Sequence, residues 1–225
     1  MDQPQTVEQI LTRYATLLQR CHDRIIADLE KAPGTAVLTD YFQKGKRFRA
    51  LLAFVAASAM GMEPRTVISM AAALELLHGA SLIHDDIVDE ATQRRTLSAL
   101  HIQLGIGPAL ILGDYLILRA FTVLQELHEV YGREKTCEAS QALNSYAQLC
   151  CRGAFKELMP TGAGNPEDEY FTMVQGKTAS QFAAAVTLPA IIGGRTSKDI
   201  NANFKIYCDN NNAKLDCELV FSVRA

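Results

Sequence analysis

The chain is poor in the patterns that would assign it to several large protein classes. Its six cysteines, Cys21, Cys137, Cys150, Cys151, Cys208 and Cys217, show no CxxC spacing, and its five histidines are equally scattered. A zinc site and a disulfide framework are therefore not expected, and a reducing cytoplasm is the expected compartment. No basic stretch exceeds Lys44-Gly45-Lys46-Arg47-Phe48-Arg49. Lys and Arg number 22 against 25 Asp and Glu, a net charge of −3. Nucleic acid is not the partner such a balance suggests. The start, Met1-Asp2-Gln3-Pro4, has neither the basic nor the apolar region of a secretory signal. No apolar run approaches the roughly 18 residues of a membrane span, so a soluble protein with no transmembrane segment is expected. Strand signals are almost absent up to residue 194, and no repeat of solenoid period stands out.

Helical periodicity is what the chain has in quantity. With 48% hydrophobic residues over 225, it can bury a sizeable core. Val7, Ile10, Leu11, Tyr14, Leu17, Leu18, Cys21 and Ile25 recur at three and four, which predicts a helix over 7–31, closed by Pro33-Gly34. An Ala-rich helix is predicted over 51–62 and a long apolar one over 67–88, with Pro64 suited to its first turn. Thr92 to Thr96 reads as a polar link. Further helices are predicted over 105–130, 134–158 and 167–186. The reading is an all-α bundle. After Ile191-Ile192-Gly193-Gly194 the composition shifts to Asn, Asp, Lys and Cys. The last stretch (Leu215, Cys217, Leu219, Phe221, Val223) alternates at period two, so it is not assigned to helix. A helical domain over 1–194 and a divergent tail over 195–225 is the expected organisation.

The long apolar helix runs into Asp85, Asp86 and Asp89. Asp85 and Asp89 fall one turn apart on one face, and Asp86 lies about 100° round from Asp85. Like charges at i, i+4 repel unless a cation intervenes. A solvated acidic helix end is the plain alternative. The cluster instead closes a long apolar helix and is followed by Arg94-Arg95, which favours a site for a hard divalent ion. Carboxylate oxygens suit Mg²⁺, which takes one or two of them and completes its shell with water and phosphate. Lys46, Arg47 and Arg49 form a second cluster, three cations at a Gly-hinged helix start able to bind an oxyanion. His78 lies two turns before Asp85 on the same face. Lys177-Thr178 sits mid-helix among Ala and Phe.

In this order and spacing the motifs resemble those of the trans-isoprenyl diphosphate synthases, also called polyprenyl synthetases. Gly45-Lys46-Arg47-Phe48-Arg49 is similar to their GKRxR. Asp85-Asp86-Ile87-Val88-Asp89 is similar to their first DDxxD, with Arg94-Arg95 at the family spacing. Gly113-Asp114-Tyr115-Leu116 and Gly176-Lys177-Thr178-Ala179 match GDYL and GKTA. The resemblance covers roughly residues 7–194. It implies an isoprenoid-synthase-type helical bundle around a central cavity, working as a homodimer with Mg²⁺. By resemblance, Asp85 and Asp89 ligate the metal on an allylic diphosphate, with Asp86 in support. Arg94 and Lys177 clamp that diphosphate, and Thr178 lies beside the reacting carbons. Lys46, Arg49, His78 and Arg95 hold isopentenyl diphosphate. Ala80 and Ser81, small and about one turn before Asp85, leave room for a growing tail. A product of at least twenty carbons, more in keeping with a quinone-type tail, is therefore expected.

The chain departs from the pattern in two places. The best counterpart of the second aspartate-rich motif, Phe204 to Asn212, retains only Asp209, and Gly153-Ala154 stands where a Gly-Glu pair is usual. The bundle is accordingly expected to be incomplete at its C-terminus, with that third truncated or replaced. A non-catalytic subunit of a heteromeric prenyl synthase is the alternative function. A terpene cyclase would share DDxxD but has no use for Lys46, Arg49 and His78.

Overall fold

The computed structural model describes residues 7–160, 162, 165–195, 200–208 and 215–223, the last two ranges by their backbone alone. The chain divides into two compact units, Met1–Gly132 and Arg133–Ala225.

In the first unit, helix α1 spans Val7–Leu29. Tyr14, Cys21, Ile25 and Leu29 form its buried stripe, the pattern of a helix laid with one face on a core. Gly34 takes the left-handed conformation at φ 68° and leads into α2, Thr35–Gln43, which buries Leu38, Tyr41 and Phe42. Helix α3, Phe48–Ala59, buries Ala50, Ala53, Ala56 and Ala57, side chains small enough for a neighbouring helix to approach closely. A 3₁₀ turn at Pro64–Val67 opens the long helix α4, Ile68–Val88. A two-residue hairpin pairs β1, Gln93–Arg94, with β2, Leu97–Ser98. Helix α5, Leu100–Leu104, and α6, Ile106–Leu124, follow. A 3₁₀ turn at Gln125–Leu127 and the short α7, His128–Tyr131, close the unit. Helices α1, α3 and α6 pack on α4, and its residues from Met70 to Leu77 are all buried. A helix apolar on every side belongs in a core.

The second unit is built on α8, Arg133–Leu158. Helix α9, Pro166–Val174, starts with a complete set of helix-initiating signals. Asn165 Oδ1 accepts from Glu167 N at 3.1 Å, Pro166 occupies the first turn, and Glu167, Asp168 and Glu169 face the positive end of the helix dipole. A π-helical turn, Gln175–Ala179, joins it to α10, Ser180–Ile192. Lys135 Nζ donates to Ile192 O at 3.1 Å, satisfying a carbonyl at the end of α10. The backbone of β3, Ile200–Cys208, pairs antiparallel with β4, Leu215–Val223.

The all-α expectation therefore holds up to residue 195, and the period-two alternation near the end coincides with a strand. Several boundaries differ. Helix α2 escapes the sequence reading because Pro33-Gly34 ends one helix and begins another nine residues long. The supposed polar link carries the β1–β2 hairpin. The helix expected over 105–130 breaks at residue 125, and the one expected over 167–186 runs to Ile192 through a π turn. Pro64–Val88 and Ile106–Tyr131 are long and apolar enough to cross a membrane by length and composition only, as core helices also are. The first is 67% buried inside the protein, as a core helix is. Asp209 and Asn210 to Asn212 lie outside the described residues.

A charged network ties α1 to α6. Asp28, 3% exposed, accepts from Arg119 Nε at 3.0 Å and from Arg119 Nη2, with Arg24 at 3.6 Å. Arg24 also pairs with Glu126, which accepts from Ser69 Oγ at 2.8 Å. A buried carboxylate persists only when paired. Arg119→Met should cost about 2 kcal/mol, because a hydrogen-bonded cation is lost from a carboxylate that stays buried. Urea denaturation of the variant beside the parent chain checks this.

Candidate functional site

The end of α4 divides its three aspartates by environment. Asp89 N donates to Asp85 O at 2.8 Å, so the helical turn is closed and the two carboxylates share a side. Asp85 is half-buried, Asp89 exposed, and Asp86 only 1% exposed. Carboxylates at a helix C-terminus face the negative end of its dipole, which disfavours them without a cation. Asp86 has one: its Oδ1 accepts from Arg94 Nε at 2.7 Å and from Arg94 Nη2. Its Oδ2 is buried and has no hydrogen-bond partner among the described residues. The bond to Asp86 is also the main cause that raises the Arg94 pKa, so this guanidinium stays charged.

The hairpin is what delivers the arginines. With Arg94 paired to Leu97, the turn consists of Arg95 and Thr96, at φ 49° and 73°. Two successive positive φ angles define a type I′ turn, whose usual occupants are Asn and Gly. A β-branched residue there is strained. Lys44 Nζ donates to Thr96 Oγ1 at 2.9 Å and ties the turn to the Gly45–Arg49 loop. At Gly45 an added Cβ would lie 3.1 Å from Arg47 Nη1 and 3.3 Å from Arg95 Nη1. The glycine makes room for two guanidinium groups close together.

Within that loop the cations have different jobs. Arg47, at φ 51°, is buried and donates to Gly45 O and Phe42 O, both at 2.7 Å, and to His22. It braces the loop from inside, a role the sequence did not announce. Burial, with help from Arg47, lowers the His22 pKa, which keeps that ring neutral as an acceptor. Lys46 is exposed and Arg49 buried. Arg49 lies beside Glu75, a buried carboxylate on α4 that accepts from Ala50 N at 3.0 Å. At Gly79 an added Cβ would stand 2.3 Å from Phe42 Cζ. Glu75, Gly79 and Asp86 are spaced at four and seven, so one stripe of α4 carries the α2–α3 junction. His78, half-buried, stands two turns from Asp85 on the same helix.

The GDYL segment has a packing role that its spacing alone hides. A Cβ at Gly113 would lie 2.2 Å from His84 Nε2, and that nitrogen is 3.5 Å from Asp114 Oδ1. Gly113 therefore lets α4 and α6 close around His84. Ala80 is fully buried, while Ser81 is half-buried with its Oγ donating to His78 O at 2.9 Å.

In the second unit Lys177 and Thr178 occupy the π-helical turn. π-helical turns concentrate at functional sites. Here a Cβ at Gly153 would lie 2.1 Å from Lys177 N, and one at Gly176 would lie 2.9 Å from Gly153 Cα. Two glycines let α8 and the turn touch by backbone. Cys150 Sγ donates to Lys177 O at 3.2 Å, and Lys177 Nζ pairs with Glu157. Thr178 is half-buried.

Among the described residues no three His, Cys, Asp or Glu side chains converge to hold an ion unaided. Two carboxylates one turn apart at a helix C-terminus suit Mg²⁺ completed by phosphate oxygens. Residues 34–211 match the model of the family described as polyprenyl synthetase. The chain belongs to the polyprenyl synthetase family. It is 34% identical over 155 residues to a geranylgeranyl diphosphate synthase of Methanosarcina mazei, covering 68% of this chain and 47% of that protein. It is 33% identical over 157 residues to the octaprenyl diphosphate synthase of Escherichia coli, covering 69% and 46%. The structure of a geranylgeranyl pyrophosphate synthetase from Pyrococcus horikoshii superposes with TM-score 0.76 at 26% identity, covering 85% of this chain and 59% of that one. A decaprenyl diphosphate synthase from Rhodobacter capsulatus gives 0.74 at 28% identity, covering 85% and 58%. This polyprenyl synthetase chain spans about half the length of the curated relatives it matches.

Burial raises the Glu75 pKa above 4.5, and the Ala50 amide and the charges of Arg49 and Arg47 oppose that shift without cancelling it. The folded state thus holds the proton more tightly than the unfolded one. Its contribution to stability is complete below pH 4.5 and is lost as pH rises through the elevated folded value. Glu75→Gln keeps an acceptor for Ala50 N and does not ionise. Melting curves from pH 4 to pH 7 should show the parent chain losing stability relative to the variant as pH rises.

Proposed function

We propose that this chain carries the first diphosphate-binding half of a trans-prenyltransferase that joins an allylic diphosphate to isopentenyl diphosphate. The observation that supports it most is the juxtaposition at the end of α4. Asp85 and Asp89 share a side there, Arg94 grips Asp86, and Arg95 stands beside the Gly45–Arg49 loop. Acid and base of this kind serve two diphosphates that need different treatment. The leaving diphosphate gains charge as its allylic C–O bond breaks, so cations placed on it favour the transition state over the ground state.

In this proposal Asp85 and Asp89 hold Mg²⁺, with Asp86 behind them as the anchor of Arg94. When bound, Mg²⁺ would neutralise charge developing on the departing diphosphate. Arg94 turns its second edge to that same diphosphate, and Lys177 contributes a further cation. Lys46, Arg49, His78 and Arg95 hold the diphosphate of isopentenyl diphosphate, which is retained and needs only a basic cradle. Thr178 stands next to the reacting carbons. The apolar walls of α4 and its neighbours exclude water from the carbocation. Ala80 and Ser81 leave a path for the growing tail, and relatives named for geranylgeranyl, octaprenyl and decaprenyl products support a product of C20 or longer. Ile102, Ile106, Ile111 and Leu118 are exposed and support a homodimer. The cytoplasm is the compartment this reading assigns.

A second reading, a non-catalytic subunit of a heteromeric synthase, is favoured by the Lys177–Glu157 ion pair, which occupies the cation meant for substrate. The purified chain with Mg²⁺ and both substrates separates the two, since turnover by the chain alone sinks the subunit reading. In an active preparation Asp85→Ala should lower turnover by about 10³-fold or more with helicity by circular dichroism unchanged. Normal turnover in that variant would remove the metal role from Asp85. Chromatography of the product should give chains of C20 or longer; a farnesyl product alone would overturn the length assignment.

A further inference from the structure

The inference below rests on the diphosphate reading and assigns it one more residue. Tyr41 lies in the last turn of α2 and is 8% exposed. Its hydroxyl is buried and has no hydrogen-bond partner among the described residues, an arrangement that costs free energy unless some state of the protein uses the donor. The ring is held in place. It meets Phe42 edge-on at 5.7 Å, and Phe42 is seated against Gly79 of α4. After burial, the influences on the Tyr41 hydroxyl are the charges of Asp86, Arg94, Arg95 and Asp85, in that order. Gly79, which seats Phe42, and Asp86 lie seven residues apart on α4, so the end of α2 and Asp86 share one face of that helix. Asp86 in turn has an idle acceptor, Oδ2, buried with no partner among the described residues.

Arg94 cannot serve two anions at full strength. In this structure both its Nε and its Nη2 lie on Asp86 Oδ1. A bound diphosphate competes for that guanidinium, and any loosening leaves a carboxylate that is 1% exposed short of donors. We propose that Tyr41 is a positioning residue: its hydroxyl donates to the Asp86 carboxylate as Arg94 is drawn onto a diphosphate oxygen, and so holds the end of α4 in place. Tyr41 then touches no substrate and acts through Asp86.

The test uses the full chain, with inorganic diphosphate and Mg²⁺ as the probe, read by titration calorimetry and by melting of the unliganded protein. Tyr41→Phe should weaken diphosphate binding about tenfold, the size of one hydrogen bond to a charged group. The same variant should melt at or above the parent temperature without ligand, because the removed hydroxyl bonds to nothing there. In an Asp86→Asn background the substitution should add no further loss, as expected for two groups acting as one unit. Binding by Tyr41→Phe within twofold of the parent overturns the proposal and leaves the diphosphate reading standing. Additive losses, or a lower melting temperature without ligand, also overturn it. If the parent chain binds no Mg²⁺-diphosphate, the inference and the reading beneath it fall together. Should Asp86→Asn not fold, the binding and melting of Tyr41→Phe decide the matter.

Discussion

Everything in the first unit depends on how a carboxylate is kept at the C-terminal end of a buried apolar helix. Asp86 is enclosed, lies at the unfavourable pole of the α4 dipole, and has like charges on both sides. Arg94 makes that tolerable, and Arg94 is in reach only because the segment between α4 and α5 folds into a hairpin. The strain of Arg95 and Thr96 at positive φ is the conformational cost of that excursion. Without the hairpin, Asp86 would lose Arg94, the cation that pairs with it.

Glycine supplies the second constraint, at places where two backbones or a backbone and a ring must touch. Gly79 admits Phe42, Gly113 admits His84, and Gly153 admits the turn that carries Lys177. Each fixes the distance between an element that carries proposed site residues and a neighbour. The segments that read as signatures in the sequence are thus partly packing devices. Gly113 and Asp114 bear on His84, and Arg47 spends its donors on Gly45, Phe42 and His22. A motif's invariant look does not say which of its members faces the ligand.

The sequence made most of the helices legible because each buries a stripe at period 3.6 or is apolar throughout. It made the aspartate cluster and the two basic groups legible because their spacing is unusual for a solvated surface. It missed α2, whose nine residues hold only one i, i+3, i+4 repeat, Leu38, Tyr41 and Phe42, right after Pro33-Gly34. The hairpin was equally invisible, since nothing in Arg95-Thr96 signals a type I′ turn. Glu75 looked like an ordinary helix residue, and Tyr41 fell in the helix that was missed.

Local chemistry by itself therefore determined the helical class, the long apolar α4 and the company of Asp85, Asp86 and Asp89 at its end. It also determined which cations were available, since charge and periodicity are properties of neighbours along the chain. Only the tertiary structure decided that Asp86 is the buried one, that Arg94 serves it, that Arg47 turns inward while Lys46 stays exposed, and that Tyr41 is buried with its hydroxyl unpartnered among the described residues. Burial and partnership depend on which distant segment arrives at a helix face, and no pattern along a single segment encodes that.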